Sequence, residues 1–459
     1  MTNNKRISKI AKRALILFIV ALTVIGTVAC SKPPIQTGVL EEGAKIDIEG
    51  NITFTISNES GTASEAAAPK AIASAFMKKY PDVKITVEEI NRTQYPNLIN
   101  SGEIGDVFWC DENDANNYKK NHNALMMLDY YLERLDIDKT NIYSGALASG
   151  LIDGRLYMVP RNLGQQTLIY NVDAVKAAGI ELPSGSQAMS WEYFGDICRQ
   201  LTLQDDAGDY TQVGASLRIT WSPVWMAFAE GWGGTWVNTS EKKVSFVSDE
   251  KVMQGINAMF DACTEGWMMS DVTQYNERNY NSLSQFERVF NTFGDMQWIT
   301  RMGNAYDQAD IAWDFCPFPA FPTHKVGTGA TGYVVYNRTT NPTAAAAFAL
   351  FFLTEDGQRA YHSAAGGNVP LLKSLAEEDF WQMPDTDWSD KSYEAFVSHP
   401  TASTPASVIS RAPHEIADLF TETEMLVHVG DIINGKKSVN DVFSALETKC
   451  NELWATLTV

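Results

Sequence analysis

The chain has 459 residues, with 56 acidic and 36 basic side chains and a formal net charge of −20 at pH 7. So acidic a surface argues against a nucleic-acid partner and against docking on anionic lipid headgroups. Since 45% of the residues are hydrophobic and 11% are aromatic, the chain can build folded cores, and its length suits two or three domains.

Residues 1–29 are typical of a bacterial signal peptide. Residues 1–13 carry five basic side chains and no acidic one, and residues 14–29 are apolar apart from Thr and Gly. This apolar run is shorter than the ~20 residues that a membrane-spanning helix needs. Residues 27–30, Thr-Val-Ala-Cys, resemble the lipobox of bacterial lipoproteins, in which the cysteine is acylated. We therefore expect lipidation at Cys30, and simple secretion is the alternative.

Residues 30–50 are predicted to be a lipidated cysteine followed by a flexible tether. The segment is rich in Pro, Gly and charged residues and lacks a regular apolar pattern. A random coil of this length spans roughly 25 Å, which is enough to clear a headgroup layer.

The remaining cysteines and the acidic runs predict no cofactor and no metal site. The five cysteines are at positions 110, 198, 263, 316 and 450. Their spacing fits no zinc motif, and either one disulfide or free buried thiols would be consistent with it. The acidic run at 205–209 lacks the other positions of a calcium loop, so a charged hairpin turn is predicted there.

The folded part opens with alternating strands and helices. Strands are predicted over 52–56, 83–87 and 107–110, with a helix that Pro69 opens after the first and a short helix at 95–100 after the second. Successive β-α-β units imply a parallel sheet with right-handed crossovers. In such sheets ligands bind beyond the carboxyl ends of the strands, where Asn58, Glu59 and Asp111 are expected.

The later elements suggest that the chain passes into a second lobe. A Pro- and Gly-containing approach precedes an apolar strand at 167–170, and a mostly helical stretch with a tryptophan cluster at 221–236 follows. A strand is predicted at 331–335, just before an Ala-rich helix at 342–353. The last hundred residues are again largely helical.

Four segments resemble the extracellular solute-binding proteins of ABC importers, in particular their large carbohydrate-binding class. They are GDVFWCDENDANNY (105–118), DGRLYMVPRNLGQQTLIYNVDAVKAAGI (153–180), FGDMQWITRM (293–302) and NPTAAAAFALFFLTEDGQRAYHSAAGGNVPLLKS (341–374). The resemblance implies an α/β, two-lobe periplasmic-binding-protein-like (type II) fold. Each lobe would be a mostly parallel sheet flanked by helices, and a hinge would join the lobes. Lobe 1 is expected to comprise 51–166 with 328–375, and lobe 2 to comprise 167–327 with 376–459.

The same resemblance implies the biological role. The protein would capture a sugar or oligosaccharide between its lobes by hinge closure and deliver it to ABC permease subunits in the membrane. We expect a monomer with no nucleic-acid partner, held by its lipid anchor on the extracellular face of the cytoplasmic membrane or in the periplasm.

A sugar site needs aromatic faces for stacking and polar side chains for directional hydrogen bonds. The resemblance places Trp298 in the segment that bears a sugar-stacking tryptophan, and it places Arg161 and Gln165 at the lobe crossing. The predicted ligand contacts are Trp298, Trp109, Asp111, Asn58, Glu59, Arg161, Gln165, Trp221, Trp225 and Asn368. Core packing is the alternative for each tryptophan, and a solvated or hinge-bonding role is the alternative for each polar residue.

The rival class is a cell-surface glycoside hydrolase or lyase. Two facing carboxylates would suffice for hydrolysis, and a chain with 56 acidic residues does not exclude such a pair. However, the sequence contains no HExxH, G-x-S-x-G or Walker motif. A structural or adhesive surface protein is a third possibility. We therefore expect a binding protein and not an enzyme.

Overall fold

The computed structural model describes residues 33–57, 63–183, 185–208, 210–270, 291–295, 299–323, 326–328, 331–366, 368–397, 403–405 and 412–457. The strands are β1 (Gly50–Ile56), β2 (Val83–Glu89), β3 (Val107–Asp111), β4 (Leu151–Ile152), β5 (Arg155–Leu156), β6 (Met158–Pro160), β7 (Thr167–Asn171), β8 (Leu203–Gln204), β9 (Tyr210–Leu217), β10 (Val237–Asn238), β11 (Lys243–Val244), β12 (Met268–Ser270), β13 (Asn291–Asp295), β14 (Trp313–Pro317), β15 (Val326–Thr328), β16 (Thr331–Val335) and β17 (Ser403–Pro405). The helices are α1 (Ala63–Lys79), α2 (Tyr95–Ser101), α3 (Glu112–Lys120), α4 (Asp129–Arg134), α5 (Ser144–Ser149), α6 (Val172–Ala177), α7 (Trp191–Gln200), α8 (Ser222–Gly231), α9 (Glu250–Thr264), α10 (Ile299–Gln308), α11 (Pro342–Phe351), α12 (Glu355–Ala365), α13 (Lys373–Ala376), α14 (His414–Ala417), α15 (Glu422–Ile433) and α16 (Val439–Thr456).

The first sheet belongs to lobe 1 and has the order β2-β1-β3-β16-β6. Strand β1 pairs in parallel with both β2 and β3, as the β-α-β pattern predicts. Strand β16 enters antiparallel between β3 and β6. The first four residues of β3 are buried, because the central strand of a sheet covered on both faces has no solvated side.

The second sheet belongs to lobe 2 and has the order β12-β9-β13-β7-β14. Strands β12, β9 and β13 are parallel, whereas β7 runs antiparallel to both β13 and β14. The predicted α/β two-lobe fold is therefore confirmed, but with mixed sheets. Each sheet has more antiparallel pairing than expected, because the strand that arrives from the other lobe, β16 in the first sheet and β7 in the second, runs antiparallel to both of its neighbours. The predicted limits of the lobes between these strands stay a prediction.

Helix α1 begins earlier than predicted. Pro69 does not open the helix but lies inside it, and the helix starts at Ala63. The alanine-rich run before Pro69 has high helix propensity, which offsets the hydrogen bond that a proline cannot donate. The helix packs an apolar face against the core, with Ile72 and Phe76 fully buried. It ends at Lys79, two residues before Pro81.

Aromatic side chains fill the cores of both lobes. In lobe 1, Phe54 contacts Tyr333 and Phe348 edge to face, with ring centroids 4.9 Å apart in both pairs. In lobe 2, Trp225 stacks on Phe420 with a centroid distance of 5.5 Å. The five cysteines after residue 30 are free and buried, which selects free thiols over a disulfide. Burial raises the pKa of each of the thiols of Cys110, Cys198, Cys316 and Cys450.

The segment before β1 does not form the predicted flexible tether. Between Pro33 and Ile48 it has no helix or strand, yet it lies against lobe 1. The main-chain N–H of Gln36 donates to the carbonyl oxygen of Asn337 at 2.6 Å, and Leu40 and Ile48 pack against the core. Apolar residues spaced along this stretch therefore hold it on the folded surface. Among the described residues, none of the helices combines the length and the apolar character needed to span a bilayer.

Candidate functional site

Strand direction places several predicted residues at one edge of the first sheet. The carboxyl ends of β1, β2, β3 and β6 share this edge with the start of β16, since β16 runs antiparallel to β3 and β6. Asp111, which ends β3, is paired with Thr331, which begins β16. Arg161 follows β6 at the same edge, and its main-chain N–H donates to the carbonyl oxygen of Thr331 at 3.1 Å.

The second sheet has an equivalent edge. Ser270 at the end of β12 is paired with Leu217 at the end of β9. Asp295 at the end of β13 is paired with Leu168 near the start of β7. The carboxyl ends of β9, β12 and β13 therefore meet where the chain enters lobe 2. Residues 161–166 connect the two edges directly, so the space between the edges is the inter-lobe cleft expected for this topology.

On the lobe 1 side of the cleft, charged side chains surround a tryptophan. Arg92 Nη1 lies 2.9 Å from Asp111 Oδ2 and 3.7 Å from Asp114 Oδ2. The Arg92 guanidinium lies over the Trp109 ring, 5.9 Å from its centroid. Trp109 is only 4% exposed, and its indole N–H has no hydrogen-bond partner among the described residues. Trp109 is therefore buried beneath the cleft edge of lobe 1, and Arg92 and Asp111 are the side chains that solvent can reach there.

Asp111 has a structural task as well. Its Oδ1 accepts a hydrogen bond from the main-chain N–H of Asp114 at 2.8 Å, which caps the start of α3. A carboxylate at a helix N-terminus is favoured by both the free N–H groups and the helix dipole. The cap fixes the carboxylate at the strand end and leaves Oδ2 for Arg92.

On the lobe 2 side, Trp221 lies at the cleft edge beside an arginine. Trp221 is the N-cap residue of α8, four residues after the end of β9, and it is partly exposed. The Arg218 guanidinium lies 3.9 Å from the centroid of the Trp221 ring, and Arg218 Nη1 lies 3.8 Å from Glu422 Oε1. Stacking of this kind fixes the orientation of the indole.

Trp225, one helical turn further on, lies in the core and not in the cleft. It is 0% exposed and contacts Trp236 and Phe420 at centroid distances of 5.0 and 5.5 Å. These contacts leave no face of its indole for a ligand. Trp225 therefore packs in the core of lobe 2 instead of contacting a ligand, and it is not part of the proposed site.

The crossing between the lobes is held by helix α12. Arg161 Nη1 donates to the hydroxyl of Tyr361 at 2.9 Å, and the carbonyl oxygen of Arg161 lies 3.2 Å from His362 Nε2. Gln358 Nε2 donates to the same carbonyl oxygen at 3.3 Å. Burial is the main cause that lowers the pKa of His362 to about 3, so its imidazole is neutral. Arg161 therefore anchors the crossing through these contacts.

Two further predicted contacts lie close to this crossing. Gln165 belongs to the crossing itself and is buried, with 4% of its surface exposed. Asn368 is partly exposed, and its Nδ2 donates to the carbonyl oxygen of Gly366 at 3.3 Å. Its neighbour Val369 accepts the main-chain N–H of Leu163 at 3.1 Å, which joins this loop to the crossing.

Comparisons with known proteins identify the family of this chain. Residues 58–359 match the model of the bacterial extracellular solute-binding proteins. The chain belongs to this family. The family consists of extracellular solute-binding proteins, so binding of a solute is the role that the match gives to this chain. No match was found among curated protein sequences.

Solved structures of similar fold cover most of this solute-binding protein. The ABC substrate-binding protein Lmo0181 of Listeria monocytogenes, solved with cycloalternan, has a TM-score of 0.68 at 18% identity, over 89% of this chain and 99% of that one. The sugar-binding protein MalE of Xanthomonas citri has a TM-score of 0.67 at 16% identity, over 89% and 98%. UgpB of Mycobacterium tuberculosis, solved with glycerophosphocholine, has a TM-score of 0.69 at 14% identity, over 90% and 100%.

Four predicted positions of this solute-binding protein lie outside the described residues. They are the lipidation site Cys30 and the ligand contacts Asn58, Glu59 and Trp298. Along the chain, Trp298 comes three residues after Asp295, the last residue of β13. Their roles stay predictions.

Sequence reasoning missed Arg92 and Arg218, which complete the two rims. Arg92 comes three residues after β2, and Arg218 directly follows β9. The rule that singled out Asp111, a polar side chain at the carboxyl end of a parallel strand, applies to both. Arg92 could have been predicted in this way, because strand β2 was predicted. Arg218 could not, because β9 lies in a stretch that was predicted to be mostly helical.

Proposed function

We propose that this solute-binding protein captures a sugar or oligosaccharide between the two cleft edges and delivers it to an ABC permease. The observation that carries the proposal is the pairing of aromatic and charged side chains on both edges. Arg92 and Asp111 supply a donor and an acceptor on lobe 1, and Trp221 supplies a flat apolar face on lobe 2. Sugars present an apolar ring face and a rim of hydroxyl groups, which this combination suits.

Closure about the crossing is the means of capture that we propose. A ligand that contacts both cleft edges stabilises the closed form, because only that form lets both lobes contact it. The contacts of Arg161 with α12 keep the crossing attached to lobe 1, so bending would occur between Arg161 and the start of β7. Hydrolysis is not favoured, since the family consists of binding proteins.

The test is a ligand screen by thermal shift, followed by calorimetric titration of the best ligand. The panel contains malto-oligosaccharides, cyclic oligosaccharides, monosaccharides and glycerophosphocholine, with product analysis of each mixture. We expect a sugar to raise the melting temperature without product formation, because a ligand that binds only the native state stabilises it. Stabilisation by glycerophosphocholine alone would contradict the sugar assignment, and product formation would contradict the binding role.

Trp221→Ala tests whether the cleft edge of lobe 2 contributes to the affinity for the ligand. We expect the dissociation constant to rise about thirtyfold, as for loss of an aromatic hot spot worth roughly 2 kcal/mol. Leu203→Ala is the control, because Leu203 is an exposed apolar side chain on β8 that pairs with Gln212 near the start of β9, the end of the sheet away from the cleft edge. Equal affinity of the two variants would remove Trp221 from the site.

We further propose that the mature protein is a monomer that is anchored by acylated Cys30 on the extracellular face of the cytoplasmic membrane. The proposal rests on the signal peptide and the lipobox-like residues 27–30. Cys30→Ser should move the protein from the membrane fraction to the soluble fraction, with an unchanged melting temperature. Retention of this variant in the membrane fraction would point to an uncleaved helix. Light scattering should give a monomer mass.

A further inference from the structure

Helix α3 of lobe 1 is in direct contact with lobe 2. Lys120, the last residue of α3, donates through Nζ to the carbonyl oxygen of Ala412 at 3.4 Å. Ala412 is 1% exposed and packs in the core of lobe 2, as does Ile416 of α14. Helix α14 lies against α16 of lobe 2 and also against α3. The two lobes therefore meet at a place outside the chain crossing.

The polar side of α3 is covered in this arrangement. Ala115 and Tyr118 pack in the core of lobe 1. Because successive helix residues are rotated by about 100°, Asn116 and Lys120 lie about 130° and 170° around the helix from the middle of this apolar stripe. Asn116 is nevertheless only 2% exposed, so something other than the lobe 1 core covers it. Since Lys120 on the same side reaches Ala412, lobe 2 provides this cover.

The contact lies away from the cleft edge. Helix α3 begins at Glu112, next to Asp111 of the cleft edge, and Lys120 lies about 12 Å further along the helix. By Ala124 the chain has reached the opposite end of the first sheet, where the carbonyl oxygen of Ala124 accepts the main-chain N–H of Asn337 at 2.8 Å. Asn337 follows the carboxyl end of β16, whose start lies at the cleft edge. Lys120 therefore meets lobe 2 on the flank of lobe 1, outside the edge where a ligand is expected.

We propose that this flank contact, formed by Lys120 and α3 with Ala412 and α14, stabilises the closed form of the protein independently of the ligand. The inference rests on the proposed hinge closure. Bending between Arg161 and β7 moves lobe 2 relative to lobe 1, so separation of the lobes breaks the flank contact and closure restores it. Lys120 is a positioning residue in this scheme. It raises the fraction of molecules in the binding-competent form, and the affinity for every ligand is scaled by that fraction.

Lys120→Ala should lower the ratio of closed to open molecules about fivefold, which corresponds to about 1 kcal/mol. A charged donor strengthens a hydrogen bond, but this bond is long and 21% of the Lys120 side chain is exposed, so its contribution is modest. Lys119→Ala is the matched control, because it removes the same charge from the same last turn of α3. Lys119 Nζ lies 4.8 Å from the ring centroid of Tyr157, which belongs to lobe 1. Lys120→Arg retains the cation and its donors.

Single-molecule energy transfer in the absence of ligand measures the ratio of closed to open molecules. Two dyes are attached to the mature Cys30→Ser protein at Thr93→Cys and Glu424→Cys. Both positions are exposed, and they lie beside the cleft-edge residues Arg92 of lobe 1 and Glu422 of lobe 2. The native cysteines in the described residues are buried and would not be labelled. Transfer is higher in the closed form because the cleft edges are closer together.

We expect two transfer states in the parent and the same ratio between them in Lys119→Ala and Lys120→Arg. Lys120→Ala should show about fivefold fewer closed molecules relative to open ones. Equal ratios in Lys120→Ala and Lys119→Ala would overturn the proposal. A lowered melting temperature of Lys120→Ala with the ratio of the parent would do the same, since Lys120 would then stabilise only lobe 1.

Calorimetric titration with each panel sugar that binds adds a second readout. When the open form predominates without ligand, Lys120→Ala should raise every dissociation constant by the same factor of about five. Different factors for different sugars would place Lys120 in the ligand site and overturn the proposal. If no sugar binds, the proposed function fails, while the ratio measured without ligand still tests the flank contact. If the parent binds sugar but the ratios of the two lysine variants are equal, the flank contact is wrong and the binding role stands.

Discussion

Acidification should destabilise this solute-binding protein through His362, the buried imidazole that contacts the lobe crossing. Burial is the main cause that lowers its pKa from 6.5 to about 3 in the folded state. The unfolded chain therefore takes up the proton first as the pH falls. The stabilisation from the neutral imidazole is complete above about pH 6.5 and is lost between pH 6.5 and pH 3.

The expected magnitude follows from the width of this window. Each pH unit between the two pKa values removes about 1.4 kcal/mol of unfolding free energy. The loss at pH 5 should be about 2 kcal/mol relative to pH 7, and the full loss about 5 kcal/mol. These values are large beside the 5–15 kcal/mol that is typical of the stability of a whole protein.

Urea denaturation at pH 7 and pH 5 measures the effect in the parent and in His362→Gln. The glutamine amide does not titrate, so the variant should lose about 2 kcal/mol less than the parent between the two pH values. Other acid-sensitive groups contribute equally to both proteins and cancel in the comparison. His122→Gln is the matched control, because it removes an imidazole outside the crossing and retains His362. The same pH dependence in the parent and in His362→Gln would refute this reasoning.

Three further measurements test the site and its surroundings. Trp225→Ala should lower the unfolding free energy by about 3–5 kcal/mol in urea denaturation, since its indole fills the lobe 2 core; a normally stable variant with lost affinity would contradict the core position. Trp298→Ala should weaken sugar binding about thirtyfold to a thousandfold in calorimetric titration with an unchanged ligand-free melt, whereas a depressed melt with intact affinity would place it in the core. Saturating ligand should reduce the radius of gyration in small-angle scattering, and an unchanged radius would argue against hinge closure.

Local patterns in the sequence were sufficient for the first half of lobe 1. Alternating apolar residues predicted β1, β2 and β3, and the order of strands and helices predicted their parallel pairing. The position of Asp111 at the cleft edge follows from the same pattern, because the end of a parallel strand is defined by the strand itself. The start of α1 was misjudged because a proline in a helix is a weak signal against a strong alanine run.

The remaining features of the fold and of the candidate site depend on packing between segments that are distant in the sequence. Trp221 and Trp225 carry the same signal in the sequence, yet only Trp225 meets Phe420 in the core, and that contact joins residues far apart in the chain. The antiparallel entry of β16, the ion pair of Arg92 with Asp111 and the binding of residues 33–48 to lobe 1 arise in the same way. The amino-acid sequence alone determined the strands in the first half of lobe 1, the carboxyl ends of those strands as the edge where a ligand is expected, and the family that the chain resembles. Only the tertiary structure decided that Trp225 is buried whereas Trp221 is partly exposed, because burial depends on partners that local periodicity does not contain.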